Sequence, residues 1–345
     1  MRTLLVGLGR AGAQLHLPVL EGARASAPQL FDDDPVVGCD PCRTPERPGL
    51  VVRTSLEAAA AEVDPARTVA HVCTPPGNRS EVISALAGLG FRRMVVEKPL
   101  AVDTDDLARV IGLRRRHGLW IAVVEPWLTS SLTARLMALV RGGSLGEPRS
   151  ITLVQNKPRF RRTLTTTSHR TAFDVELPHG VGLALRLAGN ARVTHASGSD
   201  LVVGRTRVPR MGGARMGLRH TNGTRTEITS DLTSPARERR VEVRFENGAA
   251  IGHYAISADD PYSQLTVTAN GQREHEVLRD DSLTEWMIHA YRLFQGGRDQ
   301  HAKNFSVACD VARLLSVAKN ISAEPMIPAA REPVAVRVPG GVRVV

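Results

Sequence analysis

Through the first 125 residues, short apolar runs alternate with Ala/Leu-rich stretches of helical period. The runs are continuously apolar rather than alternating, the pattern of strands buried on both faces of a parallel sheet. They predict strands over 3–6, 35–39, 68–73, 94–96 and 120–124, with helices between them over 56–62, 79–89 and 104–117. Strand and helix taking turns in this way specify βαβ units.

The rhythm then changes. Residues 132–141 read as a helix stopped by Gly142 and Gly143, and 149–154 as a strand. The stretch 158–171 is basic, rich in threonine and without period, and reads as a loop. A helix over 173–187 ends at Gly189-Asn190, a pairing suited to a helix C-terminus. From 191 to 278 several strands are separated by turn signals at Asn247-Gly248 and Asn270-Gly271. Two helices follow, over 283–294 and 302–320. The stretch 333–345 either adds an edge strand or carries no structure.

Composition refines this picture. A chain of 345 residues exceeds what one core usually serves, so two domains are expected. Aromatic residues are only 4%, so the cores should rest on Leu, Val, Ile and Ala. No apolar run approaches the roughly 20 residues that span a bilayer. The first strand begins almost at the starting methionine, which argues against a signal peptide and for the cytoplasm. Cys39, Cys42, Cys73 and Cys309 are then expected to be reduced thiols. Cys39 and Cys42 form a C-x-x-C, but no second pair or His-x-x-x-His accompanies it, and no metal site is expected. The net charge of +10 is carried by arginine, since Lys98, Lys157, Lys303 and Lys319 are the only lysines. No reading motif for nucleic acid is present, so the basic surface favours small anionic ligands.

Gly7-Leu8-Gly9-Arg10-Ala11-Gly12 is a G-x-G-x-x-G in the context that gives it meaning, after an apolar strand and before a helix reaching about Leu20. The first glycine permits the tight turn, the second lets backbone approach a pyrophosphate, and the third allows close helix–strand packing. The following helix N-terminus favours phosphate. Asp40, at the end of the second strand, is placed to bind an adenosine ribose. It disfavours a 2′-phosphate and so favours NAD, whereas Arg43, three residues on, could accommodate NADP. The fold class expected is therefore α/β, a Rossmann dinucleotide-binding domain with a parallel sheet over 1–125. A substrate-binding and oligomerisation α+β domain with an open, mostly antiparallel sheet is expected over 126–345.

Lys98 stands at the carboxyl end of a parallel strand, where ligands bind in such sheets. There it can hydrogen-bond a substrate hydroxyl, and desolvation can tune it for acid–base work. Glu97 can hold its ammonium. Glu125 and Trp127 follow the next strand, and Glu125 either binds substrate or pairs with an arginine. His179 can accept a proton near neutral pH. Glu176, three residues before it, shares its face if that turn is helical. Arg159, Arg161, Arg162 and Arg170 would suit a phosphorylated or nucleotide-linked sugar, but a solvated basic loop, or one docking on a neighbouring subunit, is the preferred reading.

The glycine motif, Cys73-Thr74-Pro75-Pro76 after the fourth sheet element, Glu97-Lys98-Pro99 after the fifth, Ser144-Leu145-Gly146-Glu147-Pro148, and the segment 176–189 together resemble the Gfo/Idh/MocA family of glucose–fructose oxidoreductase and inositol dehydrogenase. The resemblance implies that Gly7, Gly9, Arg10, Ala11, Gly12, Asp40, Arg43, Thr74, Pro75, Glu97 and Lys98 hold the cofactor. It places Lys98 beside the nicotinamide, with His179 and Glu176 completing the catalytic set. Substrate contacts are expected from Lys98, Glu125, Trp127, Asp174, Glu176 and His179. The family carries an Asp four residues before its His. Here that position is Val175, and Asp174 and Glu176 flank it.

The function expected is NAD(P)-dependent hydride transfer to or from a small sugar, cyclitol or related keto or hydroxy compound. The alternatives are an imine or tetrapyrrole-like reductase on the same fold and a cofactor-sensing regulator without catalysis. The resemblance also implies a homodimer or homotetramer, with no nucleic-acid or membrane partner.

Overall fold

The computed structural model describes residues 1–166, 169–257, 259–296 and 298–323, with 298–301 described by their backbone alone. The segment 333–345 lies outside the described residues. β1 (Arg2–Val6) runs into the glycine turn, then a π-helical turn (Gly12–His16) continued by α1 (Leu17–Ser26). β2 (Val36–Cys39), β3 (Leu50–Arg53), α2 (Leu56–Ala60), β4 (Thr68–Val72), α3 (Arg79–Gly88), β5 (Arg93–Val96), α4 (Thr104–His117) and β6 (Trp120–Val123) complete the first half. The six strands form a parallel sheet in the order β3-β2-β1-β4-β5-β6, the Rossmann order. β3 was not expected. All four of its residues are half-buried at the sheet edge, so neither a buried run nor an alternation marks it.

After α5 (Ser131–Gly142), β7 (Pro148–Asn156) enters a second sheet. The stretch expected to be a loop instead contains α6 (Phe160–Thr165). The helix expected from residue 173 is split into a 3-10 turn (Ala172–Asp174) and α7 (Leu177–Ala188). Pro178 explains the break, because proline suits the first turn of a helix and not its interior. β8 (Ala191–Val203), β9 (Thr206–His220), β10 (Arg225–Asp231), β11 (Glu238–Phe245), β12 (Gly248–His253), β13 (Tyr262–Ala269) and β14 (Gln272–Arg279) follow. Their order is β14-β13-β12-β11-β7-β10-β9-β8, antiparallel except where β7 meets β10. At the β13–β14 turn Asn270 and Gly271 both take positive φ, 51° and 75°, as a tight hairpin demands.

The chain then returns to the first sheet. α8 (Ser282–Gly296) buries Trp286, Met287, Ile288, Ala290, Tyr291 and Phe294 against one face, together with α1. α9 (Arg298–Ala323) covers the other face through Phe305, Ala308, Cys309 and Ala312, and also packs Val311, Leu314, Leu315 and Ala318 into the core beneath the second sheet. One helix thus belongs to two cores. Each large apolar side chain so buried is worth roughly 1.5–3 kcal/mol, which makes α9 a strong tie between the sheets. The opposite face of the second sheet is open and carries ion pairs such as Arg240 with Glu238 and Arg244 with Glu242. No helix among the described residues is long and apolar enough to cross a membrane.

Candidate active site

The parallel ladder extends one residue beyond its strands. Gly7 donates to Cys39 O, Cys73 to Val6 O, Glu97 to Val72 O and Val124 to Val96 O, at 2.8–3.1 Å. The glycine turn, Cys73-Thr74, Glu97-Lys98 and Glu125 therefore stand in one row at the carboxyl edge of the sheet.

The glycine turn is built as a dinucleotide cradle. Gly7 has φ +93°, and a Cβ on Gly12 would lie 2.0 Å from Gly7 O, so neither position accepts a side chain. Leu8 N donates to Asp40 Oδ2 at 2.8 Å, while Cys42 N and Arg43 N donate to Asp40 Oδ1. Asp40 thereby fastens the second strand to the turn. A Cβ on Gly9 would meet the Arg43 guanidinium at 2.8 Å, which puts that cation directly over the turn. Arg10 and Pro75 are exposed at its rim, and the buried Thr74 Oγ1 has no hydrogen-bond partner. An unmet hydroxyl beside a cradle closed to side chains fits a pyrophosphate and the nucleotide attached to it.

Glu97 heads a buried chain that the sequence did not reveal. His16 Nε2 lies 2.9 Å from Glu97 Oε1, His16 Nδ1 2.9 Å from His71 Nδ1, His71 Nε2 3.0 Å from Tyr291 Oη, and that oxygen 2.7 Å from Thr3 Oγ1. Burial opposes charge on His16, but the neighbouring Cys73 and Glu97 outweigh it and raise its pKa. Burial likewise acts to raise Glu97, and the His16 hydrogen bond and charge overcome it, holding the carboxyl down at about 2. His71 is pushed well down by burial and then by His16. These directions fix the protons. Imidazolium His16 donates to both partners, neutral His71 accepts at Nδ1 and donates from Nε2, and the tyrosine hydroxyl donates to Thr3 Oγ1.

Lys98 Nζ donates to Val175 O. Burial lowers its pKa to about 8, against the opposing pull of Glu97 and Glu125. Its neighbours in the 174–176 turn are held the same way, with Lys319 Nζ 3.0 Å from Asp174 Oδ1 and Lys157 paired with Glu176. Three of the four lysines thus grip three consecutive residues. Burial first, then the charges of Lys98 and Arg159, push Lys157 down.

His179 stands in the first turn of α7, and its Nδ1 lies 3.0 Å from Glu125 Oε2. Glu176, expected on its face, is instead the residue before the helix and turns to Lys157. Asp174 also turns away, accepting from Thr171 Oγ1 and Lys319. Trp127, expected to touch substrate, is buried between His179, 5.9 Å away by ring centroids, and Tyr254, 4.1 Å away. Burial pushes the His179 pKa down, opposed by its bond to Glu125. A carboxylate only accepts, so Nδ1 carries the proton and Nε2 of the neutral ring is left as an acceptor. The structure thus brings Lys98, Glu97, Glu125 and His179 together and holds Asp174 and Glu176 in lysine pairs behind them.

Comparison with known proteins accords with this geometry. Residues 1–125 match the family model described as an oxidoreductase family with an NAD-binding Rossmann fold. That model is the one for the Gfo/Idh/MocA oxidoreductases, to which residues 1–125 are similar. No curated protein sequence matches the chain. Among solved structures, a 3-ketoreductase from Actinomadura kijaniata, in complex with TDP-benzene and NADP, is 16% identical over 92% of this chain and 96% of its own, with TM-score 0.73. An NAD-binding oxidoreductase from Klebsiella pneumoniae is 16% identical over 94% and 97%, with TM-score 0.75. UDP-N-acetylglucosamine 3-dehydrogenase from Acidithiobacillus ferrooxidans is 18% identical over 93% and 96%, with TM-score 0.68. At these identities the likeness is one of fold, and it extends through both sheets.

Proposed function

We propose that the protein interconverts a hydroxyl and a ketone on a sugar or cyclitol, with NAD or NADP as the redox partner. The observation that carries this reading is the row of Gly7, Cys73, Glu97 and Val124 at one sheet edge, with Lys98 beyond the third of them and His179 across from it. Gly7, Gly9 and Gly12 with Asp40, Arg43 and Thr74 would hold the dinucleotide. When bound, the nicotinamide supplies or accepts hydride at the substrate carbon.

The chain's own groups handle the proton. In reduction, the Lys98 ammonium hydrogen-bonds the carbonyl oxygen and gives it a proton as the alkoxide forms. Oxidation runs the same path backward, neutral Lys98 taking the hydroxyl proton, while in both directions Nε2 of neutral His179, oriented by Glu125, accepts a hydrogen bond from the substrate and holds the reacting carbon in place. Glu97, fixed by His16, holds negative charge beside Lys98 without competing for its proton. The charged and hydrogen-bonding groups gathered here, Lys98, Glu125 and His179, suit a polyhydroxy compound better than a flat apolar tetrapyrrole. Solved relatives named as a 3-ketoreductase and a sugar 3-dehydrogenase support the sugar class.

The reading also takes the protein as a cytoplasmic homo-oligomer. The free state of all four cysteines is compatible with a reducing compartment. The exposed Tyr262 and Val277, on adjoining strands of the second sheet, offer apolar surface to a second copy. Light scattering would give the copy number. The activity itself is tested by incubating the protein with NADPH or NADH and a panel of keto sugars while following nicotinamide absorbance. Turnover that survives Lys98→Met unchanged would refute it.

A further inference from the structure

Beyond the reacting carbon, the region around α6 is short of negative charge. Arg159 is 4% exposed, and neither it nor Arg162 has a carboxylate within 4 Å among the described residues. Ion-paired arginines such as Arg53, with Glu62, and Arg135, with Glu276, stand far nearer the solvent than Arg159 does. Burial first, then mutual repulsion with Arg162 and Arg10, pushes Arg159 down to about 10. Buried cations left this way lack a counter-ion.

The same short helix leads into a pocket. Residues 159, 162, 163 and 166 fall on one face at helical spacing. Thr163 and Thr166 line a pocket of about 380 Å³, together with His169, Arg170 and the β9 stretch 208–211. This lies within the range of small-molecule sites, roughly 300–1,000 Å³. Thr163 is 5% exposed, yet among the described residues its Oγ1 has no hydrogen-bond partner, and neither has His169 Nδ1. Burial and the charges of Lys98, Arg159, Arg79 and Arg162 drive the His169 pKa far down, which ties the pocket to the field of the catalytic lysine. Arg170 and Arg210 are exposed at its walls without ion pairs among the described residues, and Val208, Pro209 and Met211 add apolar surface.

We infer that this pocket holds a nucleoside diphosphate attached to the reacting sugar, with the arginines and Thr163 on the diphosphate and the β9 stretch against the nucleoside. A buried hydroxyl, an imidazole and several unpaired guanidinium groups supply the donors that phosphate oxygens accept. The apolar wall gives a flat base a place to lie, which a bare phosphate would not need. The inference rests on the proposed oxidoreductase reading and narrows its substrate to a nucleotide-linked sugar.

The test is a calorimetric titration of the full chain with UDP, dTDP, uridine and inorganic pyrophosphate, without and with saturating NADPH. NADPH affinity is followed separately by its fluorescence. Saturable binding of UDP or dTDP that persists beside NADPH is expected, with uridine and pyrophosphate each about tenfold weaker or more. Arg170→Ala and Thr163→Val should weaken UDP about tenfold, Thr163→Ser should restore it, and NADPH affinity should hold. Three results overturn the inference: no UDP heat in either state, UDP that merely displaces NADPH, or pyrophosphate binding as tightly as UDP. Failure to bind NADPH would instead strike the oxidoreductase reading, while the cofactor-free titration still judges the pocket.

Discussion

His179 Nδ1 and Glu125 Oε2, 3.0 Å apart, join the first turn of α7 to the end of the first sheet. The contact selects the tautomer of His179 and aims its free nitrogen. Glu125→Ala should therefore lower kcat about 10- to 100-fold while KM moves far less, and His179→Ala should lower kcat by about 10²–10⁴. Steady-state kinetics with NADPH and a keto sugar check this. A fall in melting temperature alone, with kcat intact, would reduce the pair to a structural contact.

Lys98, lowered to about 8 by burial, sets a pH dependence. Reduction needs its ammonium, so the rate should be level below about pH 8 and fall above it. Stability moves the other way. Between pH 8 and the ordinary value of 10.5 the unfolded chain binds a proton that the folded chain has released, so this group adds stability as pH rises through that window. Lys98→Met should abolish the kinetic limb and flatten that part of the stability profile. Rate and urea-denaturation profiles over pH 6–11, about the range the two values bracket, read both effects.

The buried chain from Glu97 to Thr3 predicts a stability defect. His16→Leu leaves Glu97 and His71 without their partner in a dry interior, and breaking such a pair costs about 3–5 kcal/mol. Urea denaturation of the two proteins measures it. A loss below about 1 kcal/mol would mean that water replaces the imidazole.

Arg43 predicts a cofactor preference. Both oxygens of Asp40 accept backbone N–H groups, and the Arg43 guanidinium stands over Gly9. Arg43→Ala should weaken NADPH about tenfold or more and NADH much less. Equal losses for both cofactors would remove the 2′-phosphate from the account.

The parallel sheet and its glycine turn were legible because continuous apolar runs and positive-φ glycines have few other uses. The Asn270-Gly271 turn was legible for the same reason. β3 was hidden by its half-buried edge position, and α6 by its brevity and a run of arginine and threonine, which looks like loop composition. Proximity in space was the other loss. Nothing along the chain says that Glu125 rather than Glu176 meets His179, or that His16, His71 and Tyr291 line up across 275 residues (16 to 291). One signal was present and unread. In so arginine-rich a chain each lysine is conspicuous, and three of the four grip the turn before His179.

The central claim is spatial: one crevice joins the glycine turn to Lys98. A crystal structure with NADPH tests it directly. The account predicts the pyrophosphate over Gly7–Gly12 and the nicotinamide ring beside the Lys98 ammonium, with His179 on the open side of the ring. A ring turned away from Lys98, or a dinucleotide bound elsewhere, would contradict it.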